Sequence, residues 1–166
     1  MKAPRIIRVQ EKHLETVLVI EQESFHDPWS FESFRAELDH PWSRFCLIGP
    51  PDRGKGLKEI SGYIICWILP GDLHLLNLAV GQPFRRQGLA KRLLEHSMKE
   101  FGEAGGGLIS LEVRRSNLAA QNLYTVFGFQ VVGVRRGYYR NDNEDALVMA
   151  RHVDERAKGE SFHAGT

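Results

Sequence analysis

An apolar run from Leu73 to Val80 passes across Gly81-Gln82-Pro83-Phe84-Arg85-Arg86-Gln87-Gly88 into a helical pattern. Leu89, Leu93, Leu94, Met98 and Phe101 share one face of it, with Lys91, Arg92, Glu95, Lys99 and Glu100 largely on the other. A strand that feeds a helix needs a sheet with that helix on its face, so the chain mixes the two element types. The junction also concentrates unpaired backbone N–H groups and the positive end of the helix dipole at one spot, which suits a phosphate. Gly88 removes a side chain where an anion must approach the backbone, Ala90 is small, and Arg85 and Arg86 offer charge-assisted hydrogen bonds. The competing reading is a surface turn with a solvated basic pair. A dinucleotide fingerprint or a P-loop fits poorly: the glycine count is wrong for both, and no Gly-Lys-Ser/Thr occurs.

Around this junction the pattern predicts further elements. Ile6 to Val9 reads as a strand and Lys12 to about Phe25 as a helix, broken by His26-Asp27-Pro28-Trp29-Ser30. Ser30 caps a second helix to about Asp39. Phe45 to Ile48 and Ile60 to Ile68 read as strands separated by an exposed loop. Gly102 and the Gly105-Gly106-Gly107 run end the central helix. Leu108 to Val113 is a strand, Asn117 to Phe127 a helix, and Phe129 to Val134 and Ala146 to Ala150 are the last strands. The sum is an α+β domain: a mixed, mainly antiparallel sheet of about seven strands flanked by about four helices.

The 166 residues, 42% hydrophobic and 26% charged, suit one domain, assigned to residues 1–151 with a polar tail at 152–166. With 22 Lys+Arg against 21 Asp+Glu, the net charge of +1 exerts no global pull on nucleic acid or an anionic membrane. Met1-Lys2-Ala3-Pro4-Arg5 leads into a short apolar run without the long h-region or small-residue cleavage site expected of a secretory leader, and no apolar stretch nears the roughly 18 residues needed for a membrane span, so a cytoplasmic location is expected. Cys46 and Cys66 lie in apolar strands, and neither a disulfide nor a metal site is expected.

Arg85-x-x-Gly88-x-Ala90, after Asn77-Leu78-Ala79-Val80 and Pro83, resembles the Gln/Arg-x-x-Gly-x-Gly/Ala signature of the GNAT acetyltransferase superfamily. The stretch Leu111-Glu112-Val113-Arg114-Arg115-Ser116-Asn117, then Ala119-Ala120, Leu123-Tyr124 and Gly128-Phe129, is similar to the RimI-like group of that superfamily. So are Pro28-Trp29-Ser30, Arg135-Arg136-x-Tyr138-Tyr139 and Glu144-Asp145-Ala146, and the similarity covers roughly residues 5 to 150. Arg140 stands where a proline often follows the paired tyrosines, and the loop from Pro50 to Lys58 looks like an insertion.

The resemblance implies acetyl-CoA as co-substrate, its pyrophosphate held by Arg85, Arg86, Gln87, Gly88, Leu89, Ala90 and Lys91. Leu78, Ala79 and Val80 would line the pantetheine arm, Asn117 would touch the cofactor, and a backbone N–H near Val80 would stabilise the oxyanion. It makes Glu112 the general base and Tyr124 the general acid. From the bare residues, Glu112 reads equally as a strand-end carboxylate paired with Arg114 or Arg8, Tyr124 as core, and Asn117 as a helix cap with Ser116 as competitor. Trp29, Tyr138 and Tyr139 are acceptor-groove candidates, framed by the His26 to Ser30 break and the turn after Arg135, or else packing residues. The implied acceptor is a protein N-terminus, the N-terminal alanine of the eighteenth small-subunit ribosomal protein. The rivals are transfer to a small amine or lysine side chain, and a non-catalytic acyl-CoA sensor.

Overall fold

The computed structural model describes residues 2–159. Seven strands form one sheet: β1 Arg5–Arg8, β2 Ser43–Gly49, β3 Gly62–Leu69, β4 Gly71–Val80, β5 Gly107–Arg114, β6 Gln130–Tyr139 and β7 Glu144–Val153. Their order is β1-β2-β3-β4-β5-β7-β6. Pairs β1/β2, β5/β7 and β6/β7 are antiparallel and β4/β5 is parallel. Four α-helices accompany them: α1 Leu14–Ser24, α2 Phe31–Glu37, α3 Leu89–Glu103 and α4 Leu118–Val126. This is the α+β arrangement that the alternation of patterns predicts.

The chain divides into two compact units. The first comprises the chain up to Cys66 together with Asn77–Leu94. Its core gathers Leu14, Val17, Phe34, Phe45, Leu47 and Tyr63. The Phe34 ring lies 5.8 Å from both the Phe45 and Tyr63 rings, edge-on to the tyrosine. The second comprises Trp67–Leu76 and the chain from Glu95 onward, with Leu75, Phe101, Ile109, Leu111, Phe127 and Met149 in its core.

Several boundaries differ from the sequence expectation for identifiable reasons. Helix α2 stops at Glu37 instead of Asp39 because Leu38, Asp39 and His40 donate to carbonyls three residues back, tightening the end into a turn. Gly102 lies inside α3; the helix stops where Gly106 N donates to Phe101 O at 2.9 Å. Gly107 is the first residue of β5, and a Cβ there would stand 2.1 Å from the Gly71 carbonyl oxygen, its register partner. Strand β6 continues through Arg135 to Tyr139, so the turn drawn after Arg135 follows Tyr139 instead. A register shift between Arg135 and Tyr139 absorbs Gly137, whose N–H donates to Asp145 Oδ1 at 2.9 Å. Strand β7 reaches Val153, past the boundary drawn at 151, because His152 and Val153 pair with Leu108 and Gly107. Beyond it Arg156 N donates to Gly102 O at 2.9 Å; residues 160–166 of the predicted tail lie outside the described residues. No helix among the described residues is long and apolar enough to cross a membrane.

Candidate active site

In the first unit, a short 3-10 turn over Gln82–Phe84 carries the chain from β4 to the start of α3. Arg86 and Gly88 then adopt left-handed backbone, with φ of 63° and 77°. The first helical hydrogen bond runs from Arg92 N to Gly88 O at 3.1 Å. Among the described residues no carbonyl accepts the N–H groups of residues 87 to 91, so these amides stand open at the positive end of a 15-residue helix. A Cβ at Gly88 would meet nothing within 4 Å: the approach to this backbone is clear. Gln87, Lys91 and Arg86 are exposed, Leu89 is buried and Ala90 half-buried.

Arg85, expected to bind the anion, is also engaged within the chain. Its extended backbone turns the side chain back, where Nε donates to Val80 O at 2.9 Å and Nη2 to Ser24 Oγ at 3.1 Å. The guanidinium therefore braces the loop against the end of β4 and the end of α1. Leu78 N is likewise engaged, donating to Asn77 Oδ1 at 3.1 Å, while Ala79 is buried. Those two backbone groups, Leu78 N–H and Val80 C=O, are already used within the chain.

Behind β4 sits a buried carboxylate. Glu21 is 1% exposed, its Oε1 accepting from Trp29 N at 3.0 Å and its Oε2 from Asn77 Nδ2 at 2.8 Å and from the Tyr63 hydroxyl. Burial raises the Glu21 carboxyl above its ordinary range, and the bonds from Trp29, Tyr63 and Asn77 oppose that rise. The Tyr63 phenol is pushed up by burial and by the adjacent carboxylate, so it stays a donor. This cluster fixes the His26 to Ser30 break, with the Trp29 ring half-buried 5.3 Å from Phe34. Ser30 caps α2 as expected, its Oγ accepting from Ser33 N at 3.1 Å.

In the second unit, the parallel register sets His74 beside Ser110 and Leu75 beside Leu111. Alternation buries Leu73, Leu75, Ile109, Leu111 and Val113 on one face and leaves His74, Ser110 and Glu112 half-open on the other. Glu112 is thus the diagonal neighbour of His74, and His74 Nε2 lies 2.7 Å from Glu112 Oε2. Arg135 Nε lies 3.4 Å from Glu112 Oε1. The hydrogen bond from His74 holds the Glu112 carboxyl below the usual carboxylate range against the opposing effect of burial, with Arg135 assisting. The pairing expected with Arg114 is not made. Arg114 instead reaches Asp142 at 2.8 Å, Asn141 at 3.2 Å and Glu144 at 3.5 Å, and lies 3.9 Å above the Tyr139 ring.

Tyr124 is buried on α4, its ring 5.7 Å from Phe129. Asn117 wins the competition for the α4 cap, its Oδ1 accepting from Ala120 N at 3.1 Å. Ser116 is drawn away by Glu144, which accepts from both its N and Oγ. Tyr138 and Tyr139 stand on β6 with rings 5.1 Å apart and nearly perpendicular, Arg135 lying 5.7 Å from the Tyr138 ring. Burial pushes the Tyr139 phenol up to about 12, so it remains protonated at neutral pH.

His74, Glu21 and Tyr63 were not singled out from sequence, and Arg114 only as a motif residue and a candidate partner of Glu112. Alternation along Leu73–Val80 carried the signal for His74, a polar residue on the half-open side of an apolar strand. Glu21 stands seven residues after Leu14 and four after Val17, on the buried stripe of α1.

The model of the acetyltransferase (GNAT) family matches residues 14–129. A protein of Bacillus subtilis (strain 168) is 34% identical over 154 residues, 92% of this chain and 97% of its own. The [ribosomal protein bS18]-alanine N-acetyltransferase of Escherichia coli (strain K12) is 35% identical over 133 residues, 79% of this chain and 85% of its own. The crystal structure of the ribosomal-protein-S18-alanine N-acetyltransferase from Escherichia coli superposes with a TM-score of 0.80 at 30% identity, covering 96% of this chain and all of the other.

Proposed function

Because this chain belongs to the acetyltransferase (GNAT) family, we propose that it moves an acetyl group from acetyl-CoA to the N-terminal α-amine of a protein, the N-terminal alanine of a small-subunit ribosomal protein. One observation carries the reading: the Escherichia coli ribosomal-protein alanine N-acetyltransferase matches it over most of both chains in sequence and fold. A ribosomal acceptor makes the cytoplasm the place of action.

The residues of the first unit fit the co-substrate. The open N–H groups of residues 87 to 91 and the clear approach at Gly88 suit the pyrophosphate, with Arg86 and Lys91 adding positive charge. Arg85 serves by bracing that loop. Leu78, Ala79 and Val80 flank the pantetheine arm; Asn117 belongs to the second unit and, its oxygen committed to the α4 cap, has its Nδ2 to offer the cofactor. Acetyl-CoA supplies an acyl carbon activated as a thioester.

An α-amine, with an ordinary value near 8, is largely ammonium at neutral pH and must lose a proton before it attacks. The Glu112 and His74 pair takes that proton, directly or through water. The backbone N–H of Val80 stabilises the oxygen that gains negative charge, a contribution of roughly 10²–10³ in rate for such donors. As the carbon–sulfur bond breaks, the Tyr124 hydroxyl gives its proton to the sulfur. Trp29, Tyr138 and Tyr139 hold the extended acceptor, with the first fixed by Glu21 and Phe34 and the last by Arg114.

The test is release of free thiol from acetyl-CoA against a panel of amines: peptides beginning with free Ala, Ser or Gly, N-blocked lysine peptides, and polyamines. Turnover confined to the free N-terminal peptides, greatest with alanine, is expected. Turnover with blocked lysine peptides or polyamines alone would remove the acceptor assignment.

A further inference from the structure

Resting on that reading, we infer that the atom receiving the amine proton is Nδ1 of His74, and that Glu112 acts as its positioning partner. Both carboxylate oxygens of Glu112 are engaged, Oε2 by His74 at 2.7 Å and Oε1 by Arg135 at 3.4 Å, and its side chain is only 13% exposed. The imidazole is 36% exposed. An ionised carboxylate can only accept, so the ring nitrogen facing it, Nε2, is the one that carries hydrogen. With Nε2 so bonded, the uncharged form of the ring would present the lone pair of Nδ1, which has no hydrogen-bond partner among the described residues.

This is a base held in one tautomer by a carboxylate, which also stabilises the imidazolium formed. Imidazole changes charge nearest neutral pH, whereas a carboxylate tied to a histidine and an arginine is a weak acceptor for an ammonium proton. The proton balance is simple. The ammonium first gives one proton to Nδ1, which passes it to solvent; as the N–C bond forms and the C–S bond breaks, the nitrogen loses a second proton by the same route, and the thiolate takes its proton from Tyr124. The ionisable groups acting on the pair are Arg135 and Tyr139 of β6; Ser110 on β5 and Val148, opposite Glu112 on β7, carry no charge.

The experiment measures kcat/KM for an N-terminal alanine peptide from pH 5.5 to 9.5 in wild type, His74→Gln and Glu112→Gln. Glutamine at 74 keeps a donor for Glu112 but has no basic nitrogen. The expected result is a loss of about 100-fold or more at pH 7 in His74→Gln. That variant also loses the acidic limb that reports a neutral base, retaining only the rise from deprotonation of the amine itself. Glu112→Gln is slower but keeps the limb. In His74→Ala, added imidazole restores turnover at least tenfold with saturation. CoA affinity within twofold of wild type in each variant verifies folding. An acidic limb that survives in His74→Gln and vanishes in Glu112→Gln, or the absence of imidazole rescue, overturns the inference alone. A wild type inactive on every N-terminal peptide overturns the acceptor reading and the inference with it.

Discussion

At Gly88 the backbone and the ligand make separate demands, and they can be measured apart. Its φ of 77° penalises any side chain, by about 1–2 kcal/mol for an L-residue in that region, while an added Cβ would meet no atom of the protein within 4 Å. Gly88→Ala should therefore lower unfolding stability by about that amount and weaken CoA binding at least tenfold, because the methyl takes space the pyrophosphate needs. Urea unfolding and calorimetric titration read the two effects; stability lost with CoA affinity unchanged would place the pyrophosphate elsewhere. Gly88 was legible from sequence because only glycine is cheap in such a bend. Arg85 was legible only as a charge. Nothing in its identity says that the guanidinium folds back onto Val80 and Ser24. Glu112 was legible as a carboxylate out of place at the end of an apolar strand, but its partner His74 is 38 positions away and is brought to it by a parallel register that local pattern does not encode.

Elements were read well where one periodicity dominates and poorly where a long-range bond sets the end. The α3 stripe and the Ser30 cap are local signals, and both stand as expected. Strand β6 outran its expectation because Arg135, Arg136 and Gly137 look like loop chemistry, yet pairing with β7 and the Gly137 to Asp145 bond keep them extended. Elements of the first unit are also joined by the one carboxylate of Glu21, which links α1 to the chain before α2, to β3 through Tyr63 and to β4 through Asn77. Glu21→Gln turns an amide donor toward groups that themselves donate, and leaving such a buried group unsatisfied costs about 1–3 kcal/mol. The urea midpoint should fall accordingly, and the acceptor KM should rise as Trp29 loses its anchor. An unchanged midpoint would show that the cluster bears no such load.

At the scale of the whole molecule, fold class and co-substrate were within reach of the sequence, since the strand, loop and helix around Gly88 are contiguous and the family signature lies on them. The acceptor was not. The residues proposed to hold it come from the α1–α2 break and from β6, more than one hundred positions apart in the chain, so no local motif spells them. Family likeness supplies the expectation that they serve a protein N-terminus, and the His74–Glu112 pair is the proton acceptor proposed for such an amine. The most direct measurement uses one peptide carrying both a free N-terminal alanine and an internal lysine, incubated with acetyl-CoA and this protein, and locates the added acetyl group by fragmentation mass spectrometry. The account predicts acetyl on the alanine α-nitrogen with the lysine unmodified. Acetyl on the lysine ε-nitrogen, with the N-terminus free, would contradict it.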